Sequence, residues 1–360
     1  MVGNNTKAER TPLLPLRHEQ GDFFVCDIFD AAPKGDMASM AHPIFSLSTK
    51  LDHRVRRYET KNGSFVEIRP NVVGLATVHD RDVLIYCISQ IIAAMNQGLP
   101  VSKVLRFKAR DLLIATNRNT DGRGYEQLKS AFERLQSTQI ETNITTGGIE
   151  AIDIFSLIDR VRIIRETRDG RMLDVEITLS DWVFNAIEGQ EVLTLNRRYF
   201  QLRKPLERRL YEIARKQCGM QDEWKCGLDK LQTRTGSSSS AKEFKRLVKA
   251  ICQADEKFDH MPDYSFRMIG GQLVVKPKPE LLQAYAKTPQ QDLLTGGYLL
   301  PLSPDTLLQA EEICPTWDIK YLVSEWRTYS ARQKEAPKNP DGAFLGFCKA
   351  WFKKRGRNGH

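Results

Sequence analysis

Between residues 80 and 280 one order of segments occurs twice, and that repeat limits the possible folds more than any other feature of the chain. In the first copy, apolar spacing predicts a helix over 80–97, stopped by Gly98 with Pro100 beyond. A short helix over 108–116 and a polar turn over 117–124 follow. Tyr125, Leu128, Phe132 and Leu135 then line one face of a helix over 125–136. Extended runs cover 138–146 and 149–165, joined by Gly147-Gly148, and a further run covers 172–179 after Asp169-Gly170. The second copy has helices over 206–217, 227–235 and 240–254, the first opened by Pro205. A hairpin follows, 264–269 and 273–276, turned by Gly270-Gly271. Three helices and then a hairpin is the order of a winged helix, a helix-turn-helix followed by a β wing. Short matches accompany the repeat: Phe132-Glu133-Arg134-Leu135 with Phe244-Lys245-Arg246-Leu247, Gly147-Gly148 with Gly270-Gly271, and Leu84-Ile85-Tyr86 with Arg209-Leu210-Tyr211. The expected fold class is α+β: two tandem winged-helix domains with a small C-terminal helical domain.

The third helix of the second copy is the richest in chemistry. Ser240 and Glu243 form an S-x-x-E capping box, which satisfies free backbone N–H groups at a helix start. Phe244, Leu247, Val248 and Ile251 make an apolar stripe, and Lys242, Lys245, Arg246 and Lys249 fall on another face. A Lys/Arg face on a lone helix is usually a solvated face. Here the surroundings argue for more. From 195 to 254 there are 15 Lys/Arg and 6 Asp/Glu, an excess of 9 that equals the net charge of the whole chain. Localised positive charge suits a polyanion, and a helix fits the major groove of duplex DNA. The residues expected at DNA are Ser238, Ser239, Lys242, Lys245, Arg246 and Lys249; Arg246 could instead bridge to an acidic neighbour. Arg197-Arg198, Arg203-Lys204 and Arg208-Arg209 could clamp backbone or form a solvated helix face. In the first copy the cations are Arg118, Arg123 and Lys129, diluted by Glu126 and Glu133. A structural or dimerisation role is as well supported there as DNA contact.

The rest of the chain divides by composition. Residues 1–22 are polar and read as a flexible tail, and 23–190 as the first winged-helix domain with N-terminal strands such as Phe65–Arg69. Residues 191–280 make the second, basic domain. Seven Pro and Gly residues over 277–304 mark 281–304 as a linker, and 305–360 reads as a helical domain ending in the basic run KKRGR. The seven cysteines show no C-x-x-C, which suits free thiols in a reducing cytoplasm. No apolar run is long enough to cross a bilayer, so no membrane role is expected. No G-x-x-x-x-G-K-[ST] loop and no H-x-H pair is present, and the six histidines are isolated. The expectation is therefore no cofactor, no metal and no catalytic activity.

Three stretches extend the reading by resemblance. HPIFSLSTKLDHRVRRYE, FKARDLLIATNRNTDGRGYEQLKSAFERLQSTQIETNI and LNRRYFQLRKPLERRLYEIARKQCG resemble the replication initiator protein A family of bacterial plasmids, and the likeness spans about residues 40–280. The resemblance implies recognition of direct repeats in origin DNA without ATP hydrolysis, opening of an adjacent AT-rich segment, and recruitment of a host initiator and the replicative helicase. It also implies homodimers that behave differently from monomers. A second reading is a winged-helix transcriptional regulator acting on an operator, autorepression included. Two linked units in one chain suit a long asymmetric repeat, whereas a regulator with one unit per subunit suits a palindrome. A third reading, a nicking enzyme, lacks the metal-ligand pattern it would need.

Overall fold

The fold is that of a computed structural model. It describes residues 11–18, 26–27, 44–48, 50–59, 65–97, 99–143, 152–165, 172–188, 193–287, 291–292, 297–298, 302, 304–315, 317, 319–331, 337 and 339–356. The chain divides into two compact units, Met1–Ala94 with Pro100–Lys278, and Met95–Leu99 with Pro279–His360.

In the first unit the elements run β1 (Cys26–Asp27), β2 (Arg56–Glu59), β3 (Phe65–Arg69), α1 (Arg81–Asn96), β4 (Val104–Lys108), α2 (Ala109–Ala115), α3 (Gly122–Ser137), β5 (Gln139–Thr142), β6 (Asp153–Ser156), β7 (Ile158–Arg165), β8 (Met172–Leu179), α4 (Asp181–Glu188) and β9 (Leu193–Thr194). They continue as α5 (Pro205–Gln217), β10 (Trp224–Gly227), α6 (Leu228–Thr235), α7 (Ala241–Phe258), β11 (Tyr264–Ile269) and β12 (Gln272–Pro277). Two winged helices are nested in this order. The first is α1-β4-α2-α3-β7-β8 and the second α5-β10-α6-α7-β11-β12. Their antiparallel sheets have the same strand order, β4-β8-β7 and β10-β12-β11. Helices α2 and α6 start at 109 and 228, and α3 and α7 at 122 and 241, so both pairs lie 119 residues apart.

That register corrects two sequence expectations. The Phe132 and Phe244 tetrapeptides are 112 apart, about two helical turns out of step with the true correspondence. The first wing is the β7–β8 hairpin, and the strands flanking Gly147-Gly148 belong elsewhere. β5 and β6 join β2 and β3 in a separate sheet of order β2-β3-β5-β6. The run 149–165 breaks at Leu157, which is fully buried. Before the break Phe155 pairs with Ile140, and after it Val161 pairs with Ile177. Alternation marks both halves as strand but says nothing about which partner each half takes. The Gly147-Gly148, Asn62-Gly63 and Asp169-Gly170 turns lie outside the described residues.

The two winged helices are joined through α1 and α5. Val83 to Ile88 are all buried, so α1 has no solvent face over that stretch. Its first residues carry buried charge, and each charge is met. Arg81 Nη1 donates to Glu212 Oε2 at 2.6 Å, and Arg209 Nη1 donates to the same oxygen at 3.0 Å. Tyr199 Oη donates to Glu212 Oε1 at 2.6 Å. Arg208 Nη1 donates to Asp82 Oδ1 at 2.6 Å, and Arg134 grips Asp80 with two bonds of 2.7 Å. Arg208 and Arg209 therefore form neither a backbone clamp nor a solvated face. Burial on α5 recruits them to neutralise α1's acids and α5's own Glu212, since a buried charge persists only when paired. Charge counts along a sequence cannot separate such interior arginines from surface ones.

Part of the N-terminal segment is also anchored. Leu14 N donates to Gln201 O, Arg17 N to Asn117 Oδ1, and His18 Nε2 lies 2.7 Å from Arg118 O. Residues 11–18 therefore pack on the unit, against the expectation of a flexible tail. In the second unit, α8 (Pro279–Lys287) occupies the start of the expected linker. The remaining helices are α9 (Pro304–Ile313), α10 (Ile319–Ala331) and α11 (Pro340–Arg355). Trp326, Leu322, Phe344 and the thiols Cys314 and Cys348 fill their core.

Candidate nucleic-acid interface

The turn between α6 and α7 sets the site. Gly236 ends α6 with φ 68°, a left-handed conformation that suits a residue without Cβ, and its N–H bonds back to Gln232 and Thr233. Gln232 Nε2 then donates to Ser239 O at 2.6 Å, which holds the serine run against α6. Ser240 Oγ accepts from Glu243 N at 3.3 Å and caps α7. Only this half of the capping box forms, because the Glu243 carboxylate turns to Arg246.

Phe244, Val248, Ile251 and Cys252 are buried beneath α7. At its far end the buried Asp255 carboxylate accepts from Met261 N at 2.9 Å and from Phe266 N at 3.0 Å, which ties the helix to wing strand β11. Burial pushes this carboxyl up from its ordinary value. The opposite face is open: Lys242, Lys245, Arg246 and Lys249 are all exposed. Arg246 binds Glu243 through bonds of 2.8 and 2.7 Å, the acidic bridge anticipated for it. Among the described residues, Lys242, Lys245 and Lys249 have no carboxylate partner, so the face keeps three unneutralised charges. Ser238 is exposed and Ser239 half-buried just before the cap. A helix with an anchored apolar face, a free cationic face and hydroxyls at its start can contact both phosphates and base edges.

The other expected contacts scatter. Arg198 and Arg203 are exposed, Lys204 is exposed but pairs with Glu207 at 3.0 Å, and Arg197 is half-buried. Arg118 is half-buried: it donates to His79 O and lies 3.4 Å from Asp82, which gives it a structural role. Arg123 is exposed near the start of α3, and Lys129 pairs with Glu133 at 3.5 Å. Two exposed cations escaped sequence reasoning. Arg267 stands on wing strand β11, where only its position in the alternating burial pattern could have marked it. Arg54, 58% exposed, donates to Ser238 Oγ at 3.2 Å from 184 residues away in sequence, a distance no local pattern spans.

No helix among the described residues is long and apolar enough to cross a membrane, and no group of three or more His, Cys, Asp or Glu among them could hold a metal ion.

Comparison with known proteins bears on the family and the fold. A protein of Wigglesworthia glossinidia brevipalpis that bears the provisional description of a replication protein is 37% identical over 263 residues, 72% of this chain and 94% of that protein. Among solved structures, domains 2 and 3 of RctB superpose with a TM-score of 0.50 at 13% identity, over 70% of this chain and 98% of that one. That likeness concerns the fold, which the two share. The model of the family described as Replication initiator protein A matches residues 34–266, a span holding both winged helices up to β11, and the chain belongs to that family.

Proposed function

We propose that the protein starts replication of a plasmid by binding double-stranded direct repeats at its origin, with α7 in the major groove. The observation that carries this reading is the open face of α7: three exposed lysines without carboxylate partners among the described residues, on the third helix of a winged helix, in a chain of an initiator family. Binding, rather than catalysis or nucleotide hydrolysis, is the proposed mode of action. Two winged helices locked into one unit suit a long asymmetric repeat read by a single chain. Bound copies on successive repeats would strain the adjoining AT-rich duplex, which opens most easily, and present a surface to the host initiator and the replicative helicase. Homodimers are proposed as a second form of the protein.

Footprinting on DNA flanking the gene tests the reading. Regularly spaced, directly repeated protections are the expected result. Protection of a lone palindrome over a promoter would replace the reading with that of a transcriptional regulator, and covalent attachment of protein to DNA would replace it with that of a nicking enzyme.

A further inference from the structure

A cleft of about 510 Å³ lies between the segment entering β2 and the turn before α7. Arg54, Arg56 and Arg57 form one wall and Gln232, Ser237 and Ser238 the other, and among the described residues no carboxylate lines it. Carboxylates outside that lining orient the arginines. Asp52, 2% exposed, accepts two bonds of 2.9 Å from Arg54 and one of 2.6 Å from Arg56, and Ser46 Oγ donates to it at 3.0 Å. Arg57 pairs with Glu59 and Glu67 and lies 4.1 Å over the Phe65 ring. One nitrogen of Arg56, Nη1, is buried without a hydrogen-bond partner among the described residues. The cleft thus offers guanidinium groups already oriented by their carboxylates, beside serine hydroxyls at the start of the proposed recognition helix. Forked guanidinium donors match phosphate oxygens better than lysines do.

We infer that this cleft grips a phosphate of the duplex backbone, so that the sheet of β2, β3, β5 and β6 acts as a second clamp on the DNA that α7 reads. The inference rests on the proposed DNA-binding function and deepens it. The clamp is composite: one wall comes from the N-terminal sheet and the other from the second winged helix, and the Arg54–Ser238 bond joins them. It holds backbone and carries no sequence preference of its own.

The test uses the full-length chain and the duplex protected in footprinting, alongside a duplex of unrelated sequence. Arg54→Ala should weaken binding to both about tenfold and lower the slope of log affinity against log salt by about 1. Arg54→Lys should keep the slope and lose part of the affinity. Arg56 and Ser46 still hold Asp52 in these variants, so the fold should persist. A second measurement does not depend on removing charge. Val55 lines the cleft and is 57% exposed, so Val55→Cys can carry a tethered iron chelate. Cleavage of the bound duplex beside the stretch covered by α7 is expected. Wild-type affinity and slope in Arg54→Ala, or no cleavage above that of the free chelate, would overturn the clamp while leaving recognition by α7 intact. If the wild-type chain bound neither duplex, both the clamp and the reading beneath it would fall.

Discussion

At the scale of single residues, the buried charges between α1 and α5 matter most to stability. Glu212 receives Arg81, Arg209 and Tyr199, and all four groups are buried. Glu212→Ala would leave two arginines without their shared partner and should cost about 3–5 kcal/mol, measurable by denaturant unfolding. His79 gives a second test. Burial, reinforced by the charges of Arg208 and Arg118, holds its imidazole well below the ordinary value of 6.5. The unfolded chain therefore takes up a proton that the folded one refuses. Stability from this source is complete above pH 6.5 and should fall below it by up to about 1.4 kcal/mol per pH unit. Melting temperatures followed down to about pH 5 should show a smaller acid loss for His79→Gln than for the parent; parallel curves would mean that His79 does not titrate as its surroundings indicate. Glu212 and His79 did not stand out in the sequence. Asp82 gives no local signal there, because its partners Arg208 and Arg118 lie 126 and 36 residues away in sequence.

At the scale of elements, much was legible. The periodicity of α7, its serine cap and its apolar stripe follow from local spacing, and so does the Gly270-Gly271 hairpin, whose glycines both have positive φ. Ser240→Ala should cost about 1 kcal/mol, read by thermal or chemical unfolding. What sequence could not supply was partner choice. β5, β6 and β7 all carry a strand signal, yet only β7 belongs to the first wing. The charge on α5 was misread for a similar reason, since burial is decided by what packs on the helix. On α7 the four cations are not equal. Arg246→Ala should weaken DNA binding less than Lys245→Ala, because Glu243 already offsets the arginine. Equal losses in a filter-binding titration would show that DNA breaks the Arg246–Glu243 pair.

At the scale of the whole molecule, the duplicated order of elements gave the tandem winged-helix plan, and the matching strand orders β4-β8-β7 and β10-β12-β11 agree with it. The interface itself was only half visible. The lysines of α7 could be read from spacing, but Arg54 enters only because folding brings β2's approach to the α6–α7 turn. Arg118, half-buried, is held by His79 O and Asp82. Recognition of duplex DNA by the open face of α7 is the central claim, and the salt dependence of binding to the protected repeat tests it most directly. With Lys242, Lys245 and Lys249 all changed to alanine, the log–log slope should become shallower by about 3, and affinity at fixed salt should drop steeply. A folded triple variant that keeps the wild-type slope and affinity would contradict the claim.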